Sequence, residues 1–90
     1  MLATPSTRGP DQAARIGLII ARRHVRRAVD RNRLKRLIRE SFRHRREILA
    51  GLDIVILARP GAGQVDNEQV FNHLDRLWQK LVKQAAVDSS

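Results

Sequence analysis

Apolar positions along this chain fall into blocks with two different spacings. Ile16, Leu18, Ile19 and Ile20 form a short apolar run around Gly17. Such a run, bounded by polar residues, predicts a buried strand from Arg15 to about Ala21. Asp53–Ala58 (D-I-V-I-L-A) predicts a second strand, and its unbroken apolar centre predicts burial on both faces. Between them, Leu34, Leu37, Ile38 and Ser41 recur at helical spacing, with Phe42 at the edge of the stripe. That spacing predicts a helix over about 31–47, with Asp30 as its cap, a lead-in turn over 25–29, and Ala50 and Gly51 ending it. The last block is helical as well. Asp66 followed by Gln69 resembles a capping box, and Val65 can staple onto Val70. Val70, Phe71, Leu74, Leu77, Trp78, Leu81, Val82 and Ala85 then repeat at helical spacing to about Ala86.

The remaining stretches carry no such period. Met1–Ala14 is rich in Thr, Pro, Ser, Gly and Gln and reads as a flexible lead-in, and 87–90 reads as a frayed tail. The division is therefore a segment 1–14, one domain over 15–86, and a tail. Ninety residues, 42% of them hydrophobic, allow one modest core. The chain contains no cysteine, which excludes disulfides and thiolate metal sites. No apolar run approaches the ~20 residues that span a bilayer, and the start lacks the apolar core of a signal peptide, so a cytoplasmic location is expected.

Charge changes the picture most. The formal net charge is +9, and Arg22–Arg46, with 12 basic residues and two acids, carries +10 while the rest of the chain carries −1. A polyanion is the natural partner of so local an excess, because each neutralised phosphate releases condensed counterions. On the helix, Asn32, Lys35, Arg36, Arg39, Arg43 and Arg46 gather opposite the apolar stripe. Guanidinium groups stacked three or four residues apart can follow phosphates, each fork taking two oxygens. Asn32 adds a donor and an acceptor suited to a base edge, a sugar hydroxyl or a phosphate. Other polar residues read more plainly. His24, His44 and His73 lack ligand spacing and read as surface residues. Glu40 reads as an ion-pair partner of Arg36 or Arg43, and Glu47 as one of Arg43. Asp53 reads as a turn residue and G-A-G at 61–63 as a loop. No hydroxyl has the histidine and carboxylate company of a nucleophile, so no catalytic residue and no protein-held metal is expected.

The stretch R-N-R-L-K-R-L-I-R-E-S-F-R from Arg31, preceded by Arg22-Arg23 and Ala28-Val29, resembles the signature of the bacterial ribonuclease P protein family. The R-I-G-L strand from Arg15, the strand ending in Ala58-Arg59, and the terminal helix carrying Trp78 extend the likeness to about Ala86. The resemblance implies an α+β fold, a two-layer α/β sandwich of the ribosomal protein S5 domain 2-like kind. In that fold a strand–helix–strand unit has a left-handed crossover, against the right-handed default, and a C-terminal helix follows. It implies a subunit of an endoribonuclease whose chemistry belongs to its RNA. The partners would be that catalytic RNA and precursor tRNA, with no membrane or small-molecule partner. Mg²⁺ would be held mainly by the RNA. Arg31, Asn32, Arg33, Lys35, Arg36, Arg39, Arg43 and Arg46 would contact RNA. Arg22 and Arg23, where the family has lysines, would with Arg27 contact the 5′ leader or RNA, the leader lying in a cleft between sheet and helix. The family also has a helix and one or two aromatic-bearing strands before the R-I-G strand. Met1–Ala14 is too short and polar for these, which fits a misplaced start, a fragment or a degenerate member. An uncovered sheet edge and a leader cleft without its stacking platform are then expected. The alternative reading is a general RNA- or DNA-binding module of ribosomal or nucleoid type; a basic helix docking acidic protein or membrane is a third.

Overall fold

The apolar run at Leu52–Leu57 forms the central strand of a sheet, which is where an uninterrupted run of that kind belongs. The computed structural model describes residues 1–7, 9 and 12–88. Among these the chain forms β1 (Leu2–Thr7), β2 (Arg15–Ile19), α1 (Ala28–Arg43), β3 (Leu52–Leu57), a 3-10 turn at Ala62–Gln64, and α2 (Asn67–Asp88). The strand order is β1-β3-β2. β2 and β3 are parallel neighbours joined through α1, with Ile16 opposite Ile54 and Leu18 opposite Ile56. This is the α+β architecture that the family resemblance implies.

Both helices cover the same side of the sheet. Leu52, Ile54 and Ile56 of β3 join Leu34, Leu37 and Ile38 of α1 and Val70, Leu74, Trp78 and Leu81 of α2 in one core. On the other side, Asp53, Val55 and Leu57 stay half-exposed. The expectation that this strand is buried on both faces is thus corrected: among the described residues no helix lies over the second face, so its residues alternate between deep and partial burial.

The lead-in assigned to residues 1–14 is corrected as well. Leu2–Thr7 pairs antiparallel with β3, from Leu2 opposite Leu57 to Thr7 opposite Leu52. The edge of β3 expected to be open is therefore covered. The alternation in β1 is faint, since Ala3 and Pro5 turn inward while Leu2, Thr4 and Ser6 are exposed. Pro5 sits on an edge strand, the place in a sheet where proline is tolerated.

Helix boundaries also shift. α1 begins at Ala28, with Arg27 as N-cap in an extended conformation and no side-chain cap bond. Asp30 is therefore not the cap; it lies in the first turn, where a carboxylate favours the positive end of the helix. The helix stops at Arg43 rather than near Glu47. Beyond it the chain continues in turns, with Arg45 N–H donating to the Phe42 carbonyl at 2.9 Å. This unwinding buries Leu49 completely and leaves Ile48 exposed. Gly51, at φ 87°, makes the left-handed step into β3. The start of α2 follows expectation: the Gln69 amide donates to Asp66 Oδ1 at 2.8 Å. Of the expected tail, Val87 and Asp88 continue α2, while Ser89 and Ser90 lie outside the described residues.

Trp78 anchors the helix pair. Its side chain is fully buried, its ring meets Phe42 edge-on at 6.1 Å, and its indole N–H donates to Ser41 Oγ at 2.9 Å. Ser41→Ala would leave that N–H buried without an acceptor. We expect a loss of about 1–3 kcal/mol, read as a lower urea midpoint at unchanged m-value.

Candidate nucleic-acid interface

Burying one stripe of α1 sends the opposite stripe into solvent. Asn32, Arg36, Arg39 and Arg43 are all exposed, and Lys35 is half-exposed. With Glu40 they line a shallow depression of about 510 Å³ along the helix. Asn32 to Arg43 spans about 16 Å at 1.5 Å per residue. Among the described residues the ion pairs are Arg15–Asp53 at 3.0 Å and Arg45–Asp75 at 3.6 Å. The pairs expected for Glu40 and Glu47 with Arg36 or Arg43 are therefore absent, and the arginine row is uncommitted. Asp53, expected in a turn, lies on β3 and holds Arg15.

The remaining sequence-predicted residues fall in different places. Arg46 is exposed in the turns past α1, so it extends the row without belonging to the helix. Arg22, Arg23 and Arg27 are exposed on the turn between β2 and α1. That turn is pinned by Val25, which is buried, and by His24, whose Nδ1 lies 3.0 Å from the Ala58 carbonyl. His24 is thus half-buried and structural, while His44 and His73 are exposed as expected. Arg23, Arg26 and Arg27 line a second depression, about 290 Å³, against Asp30, Gly61 and Gln64. Arg26 was not singled out by sequence; its place in the same arginine-rich turn was the available signal.

Arg31 and Arg33 depart from the rest. Both are half-buried. Arg31 Nη1 donates to the carbonyls of Val25 and Arg26 at 3.0 and 2.9 Å. Arg33 donates to Asn67 Oδ1 at 2.7 Å and to the Gly63 and Val65 carbonyls at 2.9 Å each. At about 100° per residue Arg31 lies on the side of Leu34 and Ile38, a sign that it is not on the open face. The region between α1 and the sheet, where the resemblance placed a leader cleft, is filled by core side chains. On the other face of the sheet lies a cross-strand row of Leu2, Leu57 and Ile19, with Leu2 and Ile19 exposed.

These features define a small basic α+β domain built on an arginine-faced strand–helix–strand unit. The family model described as Ribonuclease P matches residues 1–82. The ribonuclease P protein component of Pseudomonas entomophila is 54% identical over 69 residues, covering 77% of this chain and 52% of that protein. The one from a Marinomonas strain is 49% identical over 75 residues, covering 83% and 57%. Among solved structures, the Staphylococcus aureus RNase P protein superposes with a TM-score of 0.78 at 25% identity, covering 88% of this chain and 72% of that one. The Thermotoga maritima RNase P protein gives 0.73 at 30% identity, covering 87% and 74%. The chain belongs to the Ribonuclease P protein family. It spans about half the length of the curated relatives it matches.

Gly61 turns the loop that faces Arg23 and Arg27, at φ 87° with open space where a Cβ would stand. Gly61→Ala therefore meets no clash, and its cost is the left-handed backbone alone. We expect about 1–2 kcal/mol, measured by thermal or urea unfolding against the parent chain.

Proposed function

We propose that this chain is the protein subunit of a ribonuclease P and that the outward face of α1 binds the catalytic RNA. The observation that carries the reading is the row Asn32, Arg36, Arg39 and Arg43: exposed, aligned on one helix face, and without an ion-pair partner among the described residues. Lys35 and Arg46 widen the row. Family membership supports the choice of partner.

On this reading the protein supplies charge and shape, and the RNA supplies the reaction. Guanidinium groups on the row offset phosphate repulsion, so the folded RNA requires fewer free cations to close. Mg²⁺ belongs to the RNA partner in this scheme. Arg22, Arg23 and Arg27, on the turn that leads into α1, take the 5′ leader of precursor tRNA or adjoining RNA. The outcome is endonucleolytic removal of the leader in the cytoplasm, where the mature tRNA 5′ end is made. Of the three aromatic residues in this chain Phe42 and Trp78 are buried and Phe71 is half-buried, so these residues offer the leader little stacking.

The test is reconstitution. Adding the chain to its cognate catalytic RNA at low Mg²⁺ is expected to restore precursor tRNA cleavage. RNA binding without rescue would instead indicate a general nucleic-acid-binding module. In the same system Arg36→Ala and Arg39→Ala are each expected to weaken binding and lower the slope of log K against log salt by about one unit. Unchanged affinity and slope in both variants would rule out this face.

A further inference from the structure

The Arg31-Asn32-Arg33 triplet does not present three equivalent groups. Asn32 is exposed on the row with Arg36, whereas the arginines on either side are half-buried and turned back onto the chain. Arg33 carries the larger share of these contacts. One guanidinium group meets three acceptors, Asn67 Oδ1, the Gly63 carbonyl and the Val65 carbonyl, at 2.7 to 2.9 Å. These acceptors lie on the loop after β3 and on the first residue of α2. The loop contains two glycines, so its own backbone does little to fix it. It is nevertheless closely seated: a Cβ on Gly63 would stand 3.0 Å from Val25 Cγ1 and 3.4 Å from Asp30 Cβ. Drawing Arg33 out to a phosphate would strip all three acceptors at once, two of them part-buried carbonyls.

We propose that Arg33 is a positioning residue rather than a phosphate ligand. It clamps the Gly61–Val65 loop and the start of α2 against α1, and so sets the rim beside which RNA lies. Arg31 does the same for the arginine-bearing turn through the Val25 and Arg26 carbonyls. The inference rests on the RNA-binding reading given above, and it assigns the two arginines a different duty within it. The planar fork is essential, because a lysine ammonium cannot span acceptors on two elements in one fixed geometry.

The experiment compares Arg33→Ala, Arg33→Lys, Asn67→Ala and Arg36→Ala in the full chain. Affinity for a labelled ribonuclease P RNA is measured over a salt series at low temperature, with circular dichroism confirming the fold. Amide hydrogen exchange is followed at Gln64 and Val65, whose N–H groups bond within the loop. Arg33→Ala is expected to weaken binding about tenfold at every salt concentration, the effect of one or two net hydrogen bonds. Its salt slope stays at the parent value, and exchange at Gln64 and Val65 quickens. Arg33→Lys is expected to behave similarly, and Asn67→Ala, which removes no charge, to move affinity and exchange in the same direction by less. Arg36→Ala is expected to lower the slope by about one unit and leave loop exchange alone. A one-unit drop in slope for Arg33→Ala would overturn the proposal, as would unchanged loop exchange. Should Arg33→Ala fail to fold, Asn67→Ala and Arg33→Lys decide the matter by the same readouts. Should Arg36→Ala change neither affinity nor slope, the RNA-binding reading fails, and loop exchange still reports whether Arg33 is a clamp.

Discussion

The Trp78 indole N–H reaches across the core to Ser41 on α1, and Phe42 lies edge-on against the same ring. This contact fixes both the rotation of α1 about its axis and its height against α2. Leu34, Leu37 and Ile38 follow from it, because once Ser41 faces inward they must too. So does the outward stripe. Asn32, Arg36, Arg39 and Arg43 project away from the core because the helix has only one way to satisfy Trp78 and bury its leucines. A rotation of even a quarter turn would bury one edge of the arginine row, at a desolvation cost the apolar contacts could not offset.

Such a row would be costly to maintain if the protein had no use for it. Arginines stacked one turn apart repel each other, and among the described residues no carboxylate pairs with Arg36, Arg39 or Arg43. Water and salt screen that repulsion over a Debye length of about 8 Å at physiological ionic strength. Among the described residues both helices lie on one side of the sheet. On the RNA-binding reading proposed above, a stripe that gives up helix-face ion pairs is understood through its partner. A polyanion replaces mutual repulsion with attraction at every step along the helix, and gains counterion entropy besides.

Much of this was legible in the residues, and the exceptions have identifiable physical causes. The existence of β2 and β3, the helix faces and the Asp66 cap are local signals, set by period and by side-chain hydrogen bonding within a few residues. The burial expected for the first strand is corrected, since β2 lies at a sheet edge and alternates between half-buried and exposed residues. β1 was not legible because its alternation is made of Ala, Pro, Thr and Ser; what holds it is β3, some fifty residues away. The start of α1 was misplaced because Asp30 looks like a cap, whereas the observed start uses Arg27 with no side-chain bond. Its end was overestimated because polar residues 44–47 carry no sign of the turn that buries Leu49. Within the site, the exposed row was readable from helical angle alone. The duties of Arg31 and Arg33 were not, since their acceptors are backbone carbonyls, which have no signature in sequence.

The same triplet therefore serves two ends through one geometric fact. Neighbouring residues on a helix differ by about 100°, so three consecutive polar groups at the head of α1 cannot share a surface. One of them, Asn32, joins the row. The arginines that flank it are carried toward the turn before the helix and the loop before α2, where carbonyl groups await donors. Those carbonyls would otherwise be partly buried and unsatisfied, a cost comparable to a lost hydrogen bond for each. The guanidinium is the group able to reach them from a helix side chain while covering several at once. An arginine-rich stretch is thereby sorted by helix geometry into residues that hold the scaffold and residues that face outward, and sequence similarity alone, which sees only arginine, cannot separate the two.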